Sequence, residues 1–103
     1  MIVVSVSYPN TEGTRFDETY YLERHMPLVH HRWASMGLRE AKVLRGLGTP
    51  DGGRGPVRIT ALLTFESEDA FRKAVEAHGA ELFGDIPNFT DTHPAVQLHA
   101  PAG

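Results

Sequence analysis

Apolar and polar positions alternate from the first residues: Ile2, Val4, Val6 and Tyr8 on one side, Val3, Ser5 and Ser7 on the other. A period of two belongs to a strand with one face more buried than the other, and it predicts β1 over Ile2 to Tyr8. After the loop PNTEG, Thr14 stands three residues before Asp17, the spacing of a capping box, so a first helix is expected to begin near Arg15. Leu22, Met26, Val29, Trp33 and Met36 then recur at steps of four, three, four and three, one apolar stripe that runs straight across Pro27. Gly37 suits a left-handed cap at the end of that helix.

Leu38 to Leu47 predicts β2, with Ala41, Val43 and Leu47 on one face and Lys42 and Leu44 on the other. The stretch GLGTPDGGRGP is dense in Gly and Pro and reads as a flexible hairpin loop, a candidate lid. Val57 to Phe65 alternates cleanly and predicts β3. Ser67, followed by Glu68 and Asp69, marks a second helix whose face of Phe71, Ala74, Val75 and His78 leads to Gly79. An irregular segment, AELFGDIPNFTDTHP, then connects to β4 at Ala95 to His99.

The order is βαββαβ in one domain over residues 1–103. Right-handed crossovers turn that order into a ferredoxin-like α+β fold, a four-stranded antiparallel sheet with two helices on one face. If the helices cover the more apolar set, the opposite face carries Val3, Ser5, Leu44, Thr60, Leu62 and Thr64. That mixture is too apolar to stay wet and too polar for a core. A second copy stacked on it is expected, which makes a homodimeric α+β barrel.

Hydrophobic residues at 41% and charged residues at 22% are close to those of an ordinary globular chain, which makes disorder and low complexity poor readings. Thirteen acidic against ten basic residues give a net charge of -3, which argues against a nucleic-acid partner. The lack of cysteine removes disulfides, thiolate metal ligands and a cysteine nucleophile. Neither a signal peptide nor an apolar run long enough to span a bilayer is read, so the expectation is a cytoplasmic protein with no membrane association.

His25 lies one turn after Tyr21 and two residues before Pro27, whose ring leaves the carbonyl of Glu23 without its usual donor. Two readings follow. The imidazole is a general acid/base or a hydrogen-bond donor to a ligand, or it is a capping or core histidine that satisfies the freed carbonyl. No partner acid is apparent from spacing. His30 lies about 140° round an unbroken helix from His25, so His30 and His31 read as a surface pair, and His78, His93 and His99 are scattered, so no metal site is expected. The glycines form no phosphate- or dinucleotide-binding fingerprint, and no cofactor is expected. Trp33 can stack on an aromatic ligand, although its place in the stripe is more simply core.

Phe16, Tyr20, Tyr21, His25, Pro27 and Leu28 together resemble the signature of EthD-domain proteins, small members of the dimeric α+β barrel superfamily. A second block, DIPNFTDTHPAVQL at Asp85 to Leu98, is similar to that family's closing segment. The resemblance implies a homodimeric barrel with its helices outside and a pocket beneath the first helix. It also implies oxidoreductase-type chemistry, since related barrels include cofactor-free monooxygenases, lactone isomerases and haem-degrading enzymes. By the same resemblance His25 and Tyr21 are the catalytic candidates, while Phe16, Tyr20, Trp33, Phe89 and His93 are the substrate-binding candidates. His93 departs from the family pattern, which has an acidic residue there. The expected function is a cofactor-independent oxidoreductase or isomerase acting on an apolar cyclic or aromatic small molecule. The alternative is a non-catalytic accessory protein that binds such a molecule for a degradation or biosynthetic pathway.

Overall fold

The alternation at the N-terminus survives folding: in a computed structural model, which describes residues 1–103, Val4 and Tyr8 are sealed while Val3, Ser5 and Ser7 stay half-exposed. Four strands, β1 (Ile2–Pro9), β2 (Leu38–Arg45), β3 (Val57–Phe65) and β4 (Ala95–His99), form one sheet in the order β2-β3-β1-β4. Every neighbouring pair is antiparallel. Val4 faces Leu63 on one side and Leu98 on the other, and Tyr8 faces Ile59, so the apolar members of each strand share a face.

Both helices cover that face. The first, α1, occupies residues 18–36 in four pieces: an α-helical turn Glu18–Tyr20, a π-helical stretch Tyr21–His25, α-helix Met26–Trp33 and a 3-10 turn Ala34–Met36. Gly37 closes it at φ +98°, the left-handed cap that the sequence predicts. The second, α2, is Glu68–Gly84, capped by the Ser67 hydroxyl accepting from the Ala70 N–H. One core cluster gathers Val4, Trp33, Leu63, Phe65, Phe71 and Leu82 with their neighbours, and a second gathers Tyr8, Tyr21, Ile59, Ile86 and Phe89. No helix is long and apolar enough to cross a membrane.

Several boundaries differ from expectation. Thr14 does not cap α1, because its hydroxyl donates to the Thr11 carbonyl at 2.5 Å; the cap is Asp17, which accepts from the Tyr20 N–H at 3.0 Å. Gly79 does not end α2, which continues to Gly84. A Cβ at Gly79 would come within 2.9 Å of Val75 Cγ1, so this glycine serves close packing one turn away rather than termination. β2 stops at Arg45, leaving Leu47 96% exposed. The Gly-rich connection is tied to the end of β1 by the Asn10 N–H donating to the Pro56 carbonyl at 2.9 Å, and none of its residues lines the inner cavity described next. On the opposite face of the sheet, Val3, Ser5, Thr60, Leu62 and Thr64 remain half-exposed and Leu44 is exposed, with no element of the chain above them.

Candidate active site

Proline two places after His25 shapes the first helix. An α-helix would bring the Pro27 ring against the carbonyl of Glu23 and lose a hydrogen bond there, a cost of about 3 kcal/mol. The backbone widens instead just before the proline, and the Met26 N–H reaches back five residues to the Tyr21 carbonyl. One extra residue in the turn slips the helix face. Leu22, expected in the apolar stripe, is 41% exposed, and the buried line runs Tyr21, His25, Val29, Trp33. Tyr21 and His25 stack with centroids 5.7 Å apart and planes 19° apart.

The other half of the site comes from the segment after α2. Asp85 ends that helix, donating its N–H to the carbonyls of Glu81 and Leu82, and a 3-10 turn Ile86–Asn88 follows. The chain before α1 clasps this segment. Phe16 and Thr90 form an isolated β-bridge, the Asp17 N–H donates to the Phe89 carbonyl at 2.6 Å, and the Thr90 hydroxyl donates to the Arg15 carbonyl at 2.7 Å. The clasp brings Asp85 Oδ2 to 2.9 Å from His25 Nδ1. Its other oxygen accepts from the Tyr20 hydroxyl at 2.7 Å and from Asn88 Nδ2 at 2.9 Å. Phe89, fully buried, backs the imidazole with ring centroids 4.7 Å apart.

These contacts set the protonation states. Burial pushes the His25 pKa below its ordinary 6.5, and Asp85 opposes that only in part, so the ring is neutral at pH 7. For Asp85, burial pushes the pKa up, but hydrogen bonds from Asn88, His25 and Tyr20 together outweigh it and hold the carboxyl below its ordinary range. An ionised acceptor at Nδ1 assigns the ring proton to that nitrogen and leaves the lone pair on Nε2. His25 Nε2 has no hydrogen-bond partner in the protein and is not sealed off.

His25 also forms part of a cavity of about 40 Å³ between the sheet and the two helices, where it is the one non-hydrophobic residue among 13. Tyr8, Tyr21, Met26 and Trp33 line it with aliphatic residues from both layers. The Tyr21 hydroxyl is buried with no hydrogen-bond partner. Burial raises the pKa of both Tyr8 and Tyr21, so each hydroxyl keeps its proton and remains a donor.

The crystal structure of an EthD-like protein from Ralstonia eutropha JMP134 is 39% identical, superposes with a TM-score of 0.87, and is matched over 94% of this chain and 87% of that one. The chain belongs to the EthD family. An EthD-family protein from Bacillus halodurans C-125 is 19% identical with a TM-score of 0.79, covering 99% of both chains. A protein from Shewanella loihica PV-4, provisionally named a monooxygenase, shares the fold at 10% identity and a TM-score of 0.66, over 99% of this chain and 94% of its own. No protein-family model matches the chain, and no curated protein matches it.

In this EthD-family protein the structure gathers most of the expected site residues and separates one. His25, Tyr21 and Trp33 line the cavity, and Trp33 is also anchored in the core by its indole N–H donating to the Ala74 carbonyl at 2.9 Å. Phe16 packs behind Tyr8 and Tyr21 at 5.3 Å from each and does not reach the cavity. Tyr20 holds Asp85. His93 lies outside, in an open cleft beside β4. Two residues were not singled out from sequence. Asp85, the acid partner that spacing did not reveal, is 60 residues from His25, and its signals are an Asp-x-Pro turn after an apolar helix face and its place at the head of the closing block that resembles the EthD segment. Tyr8 was legible as the last inward member of the β1 alternation. His30 and His31 are exposed, as a surface pair should be.

Proposed function

We propose that this EthD-family protein is an enzyme that removes a proton from an apolar cyclic or aromatic small molecule, with His25 as the base. One observation carries the reading: an imidazole backed by an ionised carboxylate sits on the wall of an otherwise apolar cavity. Nε2 takes the substrate proton and Asp85 stabilises the imidazolium that forms. Tyr21, whose hydroxyl has no partner in the protein, donates to the oxygen on which negative charge develops. The apolar walls keep water from quenching that anion. Reprotonation at a different carbon completes an isomerisation. Transfer of the anion's electrons to O2 completes an oxygenation, the branch favoured by the name of the Shewanella fold relative. A carrier would need shape and hydrogen bonds, but no carboxylate-backed base. The half-exposed sheet face fits the same picture as the contact between two copies, giving a homodimeric barrel.

The test is exchange of C–H protons in D2O, followed by NMR, over a panel of cyclic diketones and hydroquinones. Wild-type protein is expected to catalyse exchange in some of them, His25→Ala to lose it with affinity kept within about tenfold (~1.4 kcal/mol), and Asp85→Asn to retain a small fraction. Binding without exchange by the wild type would replace the enzyme with a carrier.

A further inference from the structure

An apolar cavity of about 150 Å³ accommodates benzene, whereas the one beside His25 measures about 40 Å³. A cyclic substrate therefore needs a wall that moves. A second, open cleft of about 500 Å³ adjoins the first, and Phe83 and Ile86 line both. Val6 belongs to the cavity and Val96 to the cleft, and these two residues are direct partners across β1 and β4. The two spaces are thus one strand apart, about 4.8 Å. Ile86 is anchored in the second core cluster, but Phe83 is 41% exposed on the last turn of α2, next to Gly84. Phe83 is the side of the partition that can swing.

The outer cleft has a different chemistry from the inner cavity. Thr90 is engaged with the Arg15 carbonyl and Asp91 with the Arg15 N–H. His93 is exposed and has no hydrogen-bond partner. The cleft is lined by one carboxylate and by no lysine or arginine, and the Arg15 guanidinium that reaches it is spent on the Pro87 carbonyl at 2.9 Å, so a carboxylate or phosphate substituent is disfavoured against a neutral one. We infer that the cleft is the entrance and second subsite of the site described above, with Phe83 as the gate between them. On this inference, which rests on the proposed function, the substrate has two parts. An apolar ring passes Phe83 to reach His25, and a neutral hydroxyl- or carbonyl-bearing substituent stays outside, held by His93, while Thr92, whose hydroxyl proton goes to Thr90, is left as an acceptor only.

Trp33, the single tryptophan, lines the inner cavity and reports on entry without any substrate. Acrylamide quenching of its fluorescence is expected to speed up at least threefold in Phe83→Ala, with Phe83→Leu as the milder variant should the first fail to fold. Thr92→Phe, which fills the cleft, is expected to slow it, and Leu47→Ala, remote and exposed, to leave it unchanged. Quenching unaffected by both Phe83→Leu and Thr92→Phe would show that entry runs elsewhere and overturn the gate. For the outer subsite the probes are phenol and 4-(2-hydroxyethyl)phenol, with affinities read by NMR. The hydroxyethyl group is expected to tighten binding in the wild type and to lose that gain in His93→Ala. An equal gain in both proteins, or no binding of either phenol, overturns the two-part substrate. Neither readout depends on proton transfer, so failure of the gate and failure of His25 as base are told apart.

Discussion

Replacing Tyr21 by Phe should make the ligand-free protein more stable, the reverse of what removing a hydrogen-bonding group usually does. The hydroxyl is buried and has no partner, and a buried polar group left unsatisfied costs about 1–3 kcal/mol. Phenylalanine removes that penalty. Against it stand the few dispersion contacts of one oxygen atom, each about 0.1–0.2 kcal/mol. Water in the cavity of about 40 Å³ adds no offset, because the hydroxyl oxygen itself is sealed from water. A net gain of about 1 kcal/mol is expected, which in a domain of this size raises Tm by roughly 4–8 °C. Urea unfolding at one fixed protomer concentration measures it, since association would otherwise shift the midpoint. The same variant should lose roughly 100-fold or more in turnover if the hydroxyl donates to a developing oxyanion. A loss of stability of 1 kcal/mol or more would show that the hydroxyl is satisfied in the folded protein, and would remove the argument that it is held ready for a ligand.

Two further predictions rest on the dyad and on the open sheet face. Because burial holds the His25 pKa below 6.5 in the folded state, the unfolded chain binds a proton there that the folded one refuses. Stability should therefore be complete above about pH 6.5 and fall as the pH drops from there towards the folded pKa; Asp85, also depressed, adds a further loss below its ordinary 3.8. Urea midpoints at pH 7.5, 6 and 5 test this, and the same drop between pH 7.5 and 5 in His25→Ala would refute the assignment. On the open face, Leu62→Arg should weaken a dimer at least about 100-fold, or ~2.7 kcal/mol, by burying an unpaired charge; light scattering that finds the wild type monomeric at micromolar concentration would remove the barrel.

Strands were legible because one-sided burial writes a period of two directly into the residues. β3 and β4 begin and end where the alternation of Val57–Phe65 and Ala95–His99 does. Glycine at position 37 was legible too, since it sits where the helix must turn left-handed. The helix ends were harder. Thr14 and Asp17 are both competent caps in sequence, and the choice is made by the clasp from Phe89, which takes the Asp17 N–H and fixes where the helix can start. Gly79 looks like a terminator and is a packing glycine, a distinction that depends on Val75 one turn away. The pairing of Asp85 was invisible for a more basic reason: nothing local marks a carboxylate as the partner of an imidazole 60 residues distant.

The spacing of His25 and Pro27 has a physical account once the π-helical turn is included. On a regular helix the stripe through Met26 and Val29 would carry Leu22, and Tyr21 and His25 would lie off its centre. Pro27 makes the regular turn costly just there, and widening by one residue puts Tyr21 and His25 on the buried line that ends in Trp33. A polar pair on that line is a burden to folding, since it trades an aliphatic contact for a desolvated imidazole and an unpaired hydroxyl. Asp85 relieves the first, and nothing in the protein relieves the second. A residue that serves stability alone would not keep that hydroxyl, because phenylalanine fills the same space without its desolvation cost. The uncompensated group therefore points to a ligand as its missing partner, and it does so whether the anion proposed to form at His25 is reprotonated or oxidised.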